Sequence, residues 1–164
     1  SFWEDVNYGC RLEKKTNAQT NFTDASATDV DFDDAADVTE LTGLTHSTST
    51  NPNRVTFPAG AAGLKFRVHG YIRVGGLAAG TIEARLNFLT VGAADDDRMW
   101  NTKGYVAGGA TTYFIPVSTI TEVIVSGDYV ELVVFSNIGA STADLTTNPS
   151  NGSKLLIEPI LGTS

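Results

Sequence analysis

The chain has 164 residues, a formal charge of −8, 41% hydrophobic and 18% charged residues. That length suits one domain with a substantial core, and the acid excess excludes a binder of nucleic-acid backbone, which needs Lys and Arg to neutralise phosphates. Cys10, the single cysteine, excludes an internal disulfide and a zinc site made of cysteines alone, and no segment approaches the roughly 20 apolar residues of a membrane helix.

The acid is concentrated early. Residues 1–50 hold ten acidic and three basic side chains, and residues 51–164 hold nine and eight. With so few charges the surface leans on Thr, Ser, Asn and Gly, a composition that favours strands and loops over helices. The opening SFWEDVNY carries acid and no apolar run, unlike a secretory leader. The expectation is a soluble protein made in a cytoplasm, with Ser1 exposed by removal of an initiator Met, so that the chain is a whole gene product.

Residues 1–8 carry Phe2, Trp3 and Tyr8 and are read as a docking segment, on this domain or on a neighbour. Residues 9–164 are read as a single domain. GCRLEKK (9–15) predicts a short strand with Cys10 and Leu12 on one face. Residues 16–27 are polar and turn-rich. TDVDF (28–32) alternates, with Val30 and Phe32 inward. Residues 33–53 predict a surface loop anchored by Leu41, Leu44 and His46, with one turn of helix within 33–40 and a short strand near 40–46.

Residues 54–57 predict a strand stopped by Pro58. The clearest alternation is 64–74, with Leu64, Phe66, Val68, Gly70, Ile72 and Val74 inward and Lys65, Arg67, His69, Tyr71 and Arg73 outward. Residues 81–90 repeat it. Residues 92–109 predict a loop with the triplet Asp95-Asp96-Asp97, and TTYFIPV (111–117) an edge or bulged strand because of Pro116. Residues 119–136, TITEVIVSGDYVELVVFS, predict a hairpin turning at Ser126-Gly127-Asp128, with Val130, Leu132 and Val134 inward. Residues 137–152 predict a loop and 153–160 a closing strand. Eight to ten antiparallel strands without a helix predict an all-β, two-sheet jelly-roll sandwich.

The order of NPNRVTFPAGAAGLKFRVHGYIRV, TYFIPVSTI, SGDYVELVVF and SKLLIEPIL resembles the jelly-roll domain of the tumour necrosis factor and complement globular-head superfamily. It is most similar to stand-alone bacterial and bacteriophage versions. The resemblance spans residues 9–161, and its most specific pieces are Asn51-Pro52-Asn53-Arg54, Phe57-Pro58 and Gly127 to Leu132. It implies a ten-strand jelly roll that forms a homotrimer and acts by binding. In phages such domains serve as capsid decoration proteins, head fibres or spike tips, and are rarely enzymes.

The resulting expectation is a non-enzymatic virion protein without cofactor: a trimeric decoration or cement protein on the outer surface of the capsid. Its partners would be itself and the major capsid protein or another virion protein. The alternative is a fibre or spike tip binding a host receptor or carbohydrate through loops 92–109 and 137–152. Candidate subunit contacts are Tyr71, Tyr113, Tyr129 and Phe135, with Arg67 and Arg73 meeting acid from the stretch 24–40, which has seven carboxylates and no base. Phe2 and Trp3 are candidate shell anchors. Asp95–Asp97 and the run Asp29, Asp31, Asp33, Asp34 match no calcium-loop spacing, so solvated loops are expected. Cys10 is expected as a buried thiol. Nothing local places His46 or His69 beside a nucleophile, and the glycosylation patterns at Asn21 and Asn151 are taken as chance.

Overall fold

A strand with one apolar face is stable only when that face meets another apolar face. The alternating segments meet this need by forming two sheets packed face to face. The computed structural model describes residues 8–76, 80–90, 99–103, 112–121, 124–139 and 143–160, with backbone alone for 99–103. Within these the strands are β1 (Gly9–Glu13), β2 (Gln19–Phe22), β3 (Ser26–Asp29), β4 (Val38–Thr42), β5 (Arg54–Thr56) and β6 (Phe66–Gly75). They continue with β7 (Thr81–Leu89), β8 (Met99–Lys103), β9 (Tyr113–Ile120), β10 (Tyr129–Asn137), β11 (Ala143–Leu145) and β12 (Lys154–Pro159). No α-helix occurs among the described residues, and none of their helices is long and apolar enough to cross a membrane.

The first sheet has seven strands in the order β2-β11-β6-β12-β1-β4, with β9 on the free edge of β6. The second has five, β3-β10-β7-β8, with β5 following β3 along one edge of β10. All pairings are antiparallel. The architecture is the predicted two-sheet jelly roll.

The core lies between the sheets. Phe66, Val68, Ile72 and Val74 of β6, Ile82, Leu86 and Phe88 of β7, and Val130, Leu132 and Val134 of β10 are all fully buried. Each such side chain contributes about 1.5–3 kcal/mol relative to exposure. The sheets approach so closely at Gly70 that a Cβ there would lie 2.5 Å from Leu132 Cδ1 and 2.9 Å from Val117 Cγ1. Glycine is needed at this inward position to let β6 and β10 meet.

Residues 119–136 do not form a hairpin. β9 ends at Ile120 in the first sheet and β10 begins at Tyr129 in the second. Between them the chain turns a corner of the sandwich. Gly127 takes φ +91°, and Gly127 N and Asp128 O pair with Phe57 O and N, both at 2.8 Å. The Asp128 carboxylate accepts from Val125 N at 3.0 Å. Turn chemistry at Ser126-Gly127-Asp128 reverses the chain, but a period of two does not specify the pairing partner.

Smaller corrections share a cause. The strand expected at 28–32 lies at Ser26–Asp29 and the one near 40–46 at Val38–Thr42, although Val30 and Phe32 are buried as expected. The expected helical turn is a 3-10 turn, Ala35–Asp37, capped by Asp34 on Ala36 N at 2.8 Å. Strands β2, β8 and β11 fall in passages expected as loops; each is short, and pairing with neighbouring strands imposes its extended backbone. His46 anchors the 43–53 loop, with ring nitrogens 2.9 Å from Arg54 O and 3.0 Å from Phe32 O.

Candidate subunit interface

Alternation sends the odd residues of β6 out of the first sheet. Arg67, His69, Tyr71 and Arg73 stand opposite Ile120, Ser118, Pro116 and Phe114 of β9. Arg67, His69 and Tyr71 stand opposite Glu158, Leu156 and Lys154 of β12 on the other side. Phe114 is 43% exposed and Ile120 51%. The Tyr71 and Phe114 rings stack at 5.6 Å with an interplanar angle of 23°, and Lys154 Nζ lies 5.7 Å from the Tyr71 ring centre. Arg67 Nη1 and His69 Nε2 each lie 3.7 Å from Glu158 Oε1. The Tyr71–Phe114 pair near one end of β9 and Ile120 at the other end are exposed apolar groups on a face that also carries Arg67, His69, Arg73, Lys154 and Glu158.

The outward face of the second sheet has the opposite character. Arg54 lies over the Tyr129 ring at 3.9 Å and Arg85 over the Phe135 ring at 3.9 Å. Arg85 is held by Glu83 at 2.9 Å. Glu131 is 7% exposed, accepting from Asn53 Nδ2 at 2.9 Å and Arg54 Nη2 at 3.4 Å. Where β5 replaces β3 along β10, the strands leave a polar cleft of about 550 Å³, lined by Gln19, Asp29, Asp31, Asn53, Arg54 and Glu131 among others.

Cys10 is 4% exposed. Burial, then the Glu40 carboxylate, push its thiol pKa up to about 12, so at neutral pH it is not a thiolate nucleophile. Lys14 is fully buried and donates to Asp31 O at 2.6 Å. Burial lowers its pKa, against the opposing pull of Asp33, Asp37 and Asp31. Burial raises the Asp31 pKa, with Lys14 opposing. Asp37 is fully buried and accepts from Lys15 N at 2.8 Å and Thr16 N at 3.2 Å. The early carboxylates on this side thus serve the chain's own Lys14, backbone and cleft. Among the described residues no group of three or more His, Cys, Asp or Glu is arranged to hold a metal ion.

The residues singled out from sequence therefore separate. Tyr71 and Arg67 lie on the first sheet's outward face, where Arg67 is exposed and faces Glu158 of its own chain. Arg73 is on that face but is tied down, its Nη1 donating to Thr146 Oγ1 and to Thr147 O. It is not the free charge that was expected to meet acid elsewhere. Tyr113 is corrected: it packs against the core. The reason was available in the sequence, because Tyr113 shares parity with Ile115 and Val117, both buried. Phe114 and Ile120, of the other parity, were missed. Tyr129 is 8% exposed, so the expectation that its outward position needs a neighbour is also corrected, since Arg54 covers it. Phe135 is half-buried under Arg85. Phe2, Trp3, the triplet Asp95–Asp97 and, apart from the β8 backbone, the loop 92–109 lie outside the described residues.

No protein-family profile matches the chain, and no curated protein matches its sequence. Solved structures do. Murine APRIL, crystallised at pH 8.0, superposes with a TM-score of 0.61 at 10% identity, over 93% of this chain and 98% of that one. The fold is that of the tumour necrosis factor and complement globular-head jelly rolls. Eiger TNF from S. frugiperda gives 0.60 at 10% identity, over 96% of this chain and 94% of its own. The globular domain of zebrafish complement 1qA gives 0.59 at 9% identity, over 96% and 100%.

Proposed function

We propose that this jelly roll is a non-enzymatic virion structural protein, a homotrimer that decorates and cements a capsid by binding between shell subunits. The observation that carries the self-association is the outward face of the first sheet, with Phe114 stacked on Tyr71 near one end of β9 and Ile120 exposed at the other. The jelly-roll fold is compatible with a trimeric, non-enzymatic protein. The virion assignment rests on the order of sequence pieces resembling stand-alone phage jelly rolls.

Mechanically, each sandwich is stiff because its core is interdigitated at positions such as Gly70. Three copies bury their first-sheet faces against one another. A stable contact of this kind needs about 800 Å² from each partner. The trimer then makes three equal contacts with the shell, and avidity makes weak single contacts sufficient.

The test is to add the purified chain to shells that lack it, count bound copies, and measure the shells' resistance to heat and dilution. Many copies per shell and raised resistance support the reading. Absence of binding refutes it. A second reading, a fibre or spike tip for a host receptor or carbohydrate, has in its favour the open polar cleft between β3 and β5. It predicts few copies per particle and binding to cells or glycans that is lost when Asn53 and Glu131 are replaced.

A further inference from the structure

The pattern Asn151-Gly152-Ser153 carries a chemistry other than glycosylation. Asn151 is the only asparagine of the chain followed by glycine. An asparagine closes to a succinimide when the main-chain N of the next residue attacks its side-chain amide carbon, and glycine, without a Cβ, hinders that attack least. Both reacting groups are free. Asn151 is exposed at the end of the 149–151 turn. Its own main-chain N and that of Ser150 donate to Asn148 Oδ1 at 2.9 and 2.8 Å. Among the described residues neither the Asn151 side chain nor Gly152 N makes a hydrogen bond. Other asparagines are held differently. Asn51 and Asn148 precede prolines, which have no N–H. Ile138 N, after Asn137, donates to Asp24 Oδ1 at 2.6 Å. The Asn17 side chain donates to Asp33 Oδ1 at 3.4 Å.

The backbone just after Asn151 has no slack. Gly152 is buried, and a Cβ on it would lie 2.0 Å from Lys14 O and 3.3 Å from Asn148 O. Lys14 N donates to Ser153 O at 2.7 Å, and Arg73 N donates to Ser153 Oγ at 2.8 Å. β12 starts at the next residue, Lys154. Lys14 is itself fully buried, its Nζ spent on Asp31 O at 2.6 Å. The turn is therefore exposed and reactive on one side, and clamped against the buried end of β1 on the other.

We propose that Asn151 is a spontaneous modification site, where deamidation without an enzyme produces an isoaspartate that loosens the seat of β12 against Lys14. Gly152 N bonds to Asn151 Cγ, the Cγ–Nδ2 bond breaks, and ammonia leaves with the proton from Gly152 N. Water then opens the succinimide ring. Cleavage between Gly152 N and Cγ gives an ordinary aspartate. Cleavage between Gly152 N and the main-chain carbonyl carbon gives isoaspartate, whose chain runs through Cβ and Cγ. Nothing is oxidised or reduced, and water is the only co-reactant. Both products add a negative charge, which an exposed turn accepts. The isoaspartate also adds an extra backbone atom beside a glycine that has no room to move. The strain falls on the turn's bonds to Asn148 and on the Lys14–Ser153 pairing. The conversion runs one way, so the modified fraction records the age of the folded chain, independently of the decoration reading.

The test incubates full-length wild type, Asn151→Gln and Asn151→Asp, all folded, in mildly alkaline buffer beside a free peptide of residues 146–155. Mass, isoaspartate by peptide mapping, and the melting midpoint of fractions separated by charge are followed with time. The expected result is that folded wild type gains the mass of an amide-to-acid conversion at residue 151, largely as isoaspartate, and that Asn151→Gln does not. The isoaspartate fraction melts below the intact protein, whereas Asn151→Asp melts with it. Folded wild type that stays unmodified while the peptide converts overturns the site, and so does an equal mass gain in Asn151→Gln. An isoaspartate fraction that melts with the intact protein overturns the link to Lys14. An Asn151→Asp chain that melts as low as the isoaspartate fraction overturns that link too, because charge and not backbone length would then be the cause.

Discussion

Both outward faces of the sandwich carry large aromatics, and the two faces treat them differently. On the second sheet Tyr129 and Phe135 project from β10, and the chain covers each with its own guanidinium, Arg54 and Arg85. On the first sheet Tyr71 and Phe114 stack on each other, with Lys154 5.7 Å from the Tyr71 ring, and Phe114 and Ile120 stay about half exposed. An aromatic on a wet face is therefore not by itself a contact site. What distinguishes the first face is that, among the described residues, Phe114 keeps 43% of its surface exposed, whereas Tyr129 keeps 8%.

The largest expected effect breaks the first face. Phe114→Asp puts a carboxylate where an apolar contact is needed, at a cost of about 2 kcal/mol or more per subunit contact. Sedimentation should show monomers at concentrations where wild type is assembled, with a lower melting midpoint because the stabilisation by association is lost. If Phe135→Ser dissociates the protein and Phe114→Asp does not, the contrast between the faces is wrong. Next in size is Arg54→Met, which leaves Glu131 buried with less compensation and uncovers Tyr129. It should cost about 1–3 kcal/mol of stability in urea unfolding, without changing assembly. Arg85→Ala should be milder, about 0.5–1 kcal/mol, from the lost contact over Phe135.

Two chemical probes complete the series. Iodoacetamide at pH 8 should label Cys10 only as fast as the chain opens, because burial and Glu40 hold the thiol protonated up to about pH 12. Rapid labelling of the folded chain would contradict the burial of β1. Asp24 gives the smallest effect. Backbone N–H groups of Gly139 and Ile138 lower its pKa. Its contribution is thus present above the ordinary Asp range and is lost as pH falls through the lower folded value. Asp24→Ala should reduce the acid sensitivity of unfolding slightly, and an unchanged acid limb would show the contact to be idle.

Much of the core was legible because period-2 alternation records burial directly. Phe66 to Val74 and Ile82 to Phe88 point inward as their parity requires. Pairing was not legible. Val130 to Val134 were correctly inward, yet β10 pairs with β7, β3 and β5 and not with β9, because strand partners are chosen by long-range packing. Short strands such as β2 and β11 have four and three residues, too few for alternation to stand out, although Phe22, Ala143 and Leu145 are buried. At the candidate interface, Tyr71 was visible as the odd member of a clear strand. Phe114 could have been found by applying the same parity rule around Ile115. The covers over Tyr129 and Phe135 could not, since Arg54 comes from a strand distant in sequence and Arg85 from another hairpin arm.

The most direct test of the account is sedimentation equilibrium of the wild-type chain beside Phe114→Asp. The account predicts three times the 17.4 kDa chain mass for wild type and a shift toward the single-chain mass for the variant. A wild-type protein that remains at 17.4 kDa across the concentration range, or a variant that stays trimeric, would contradict it.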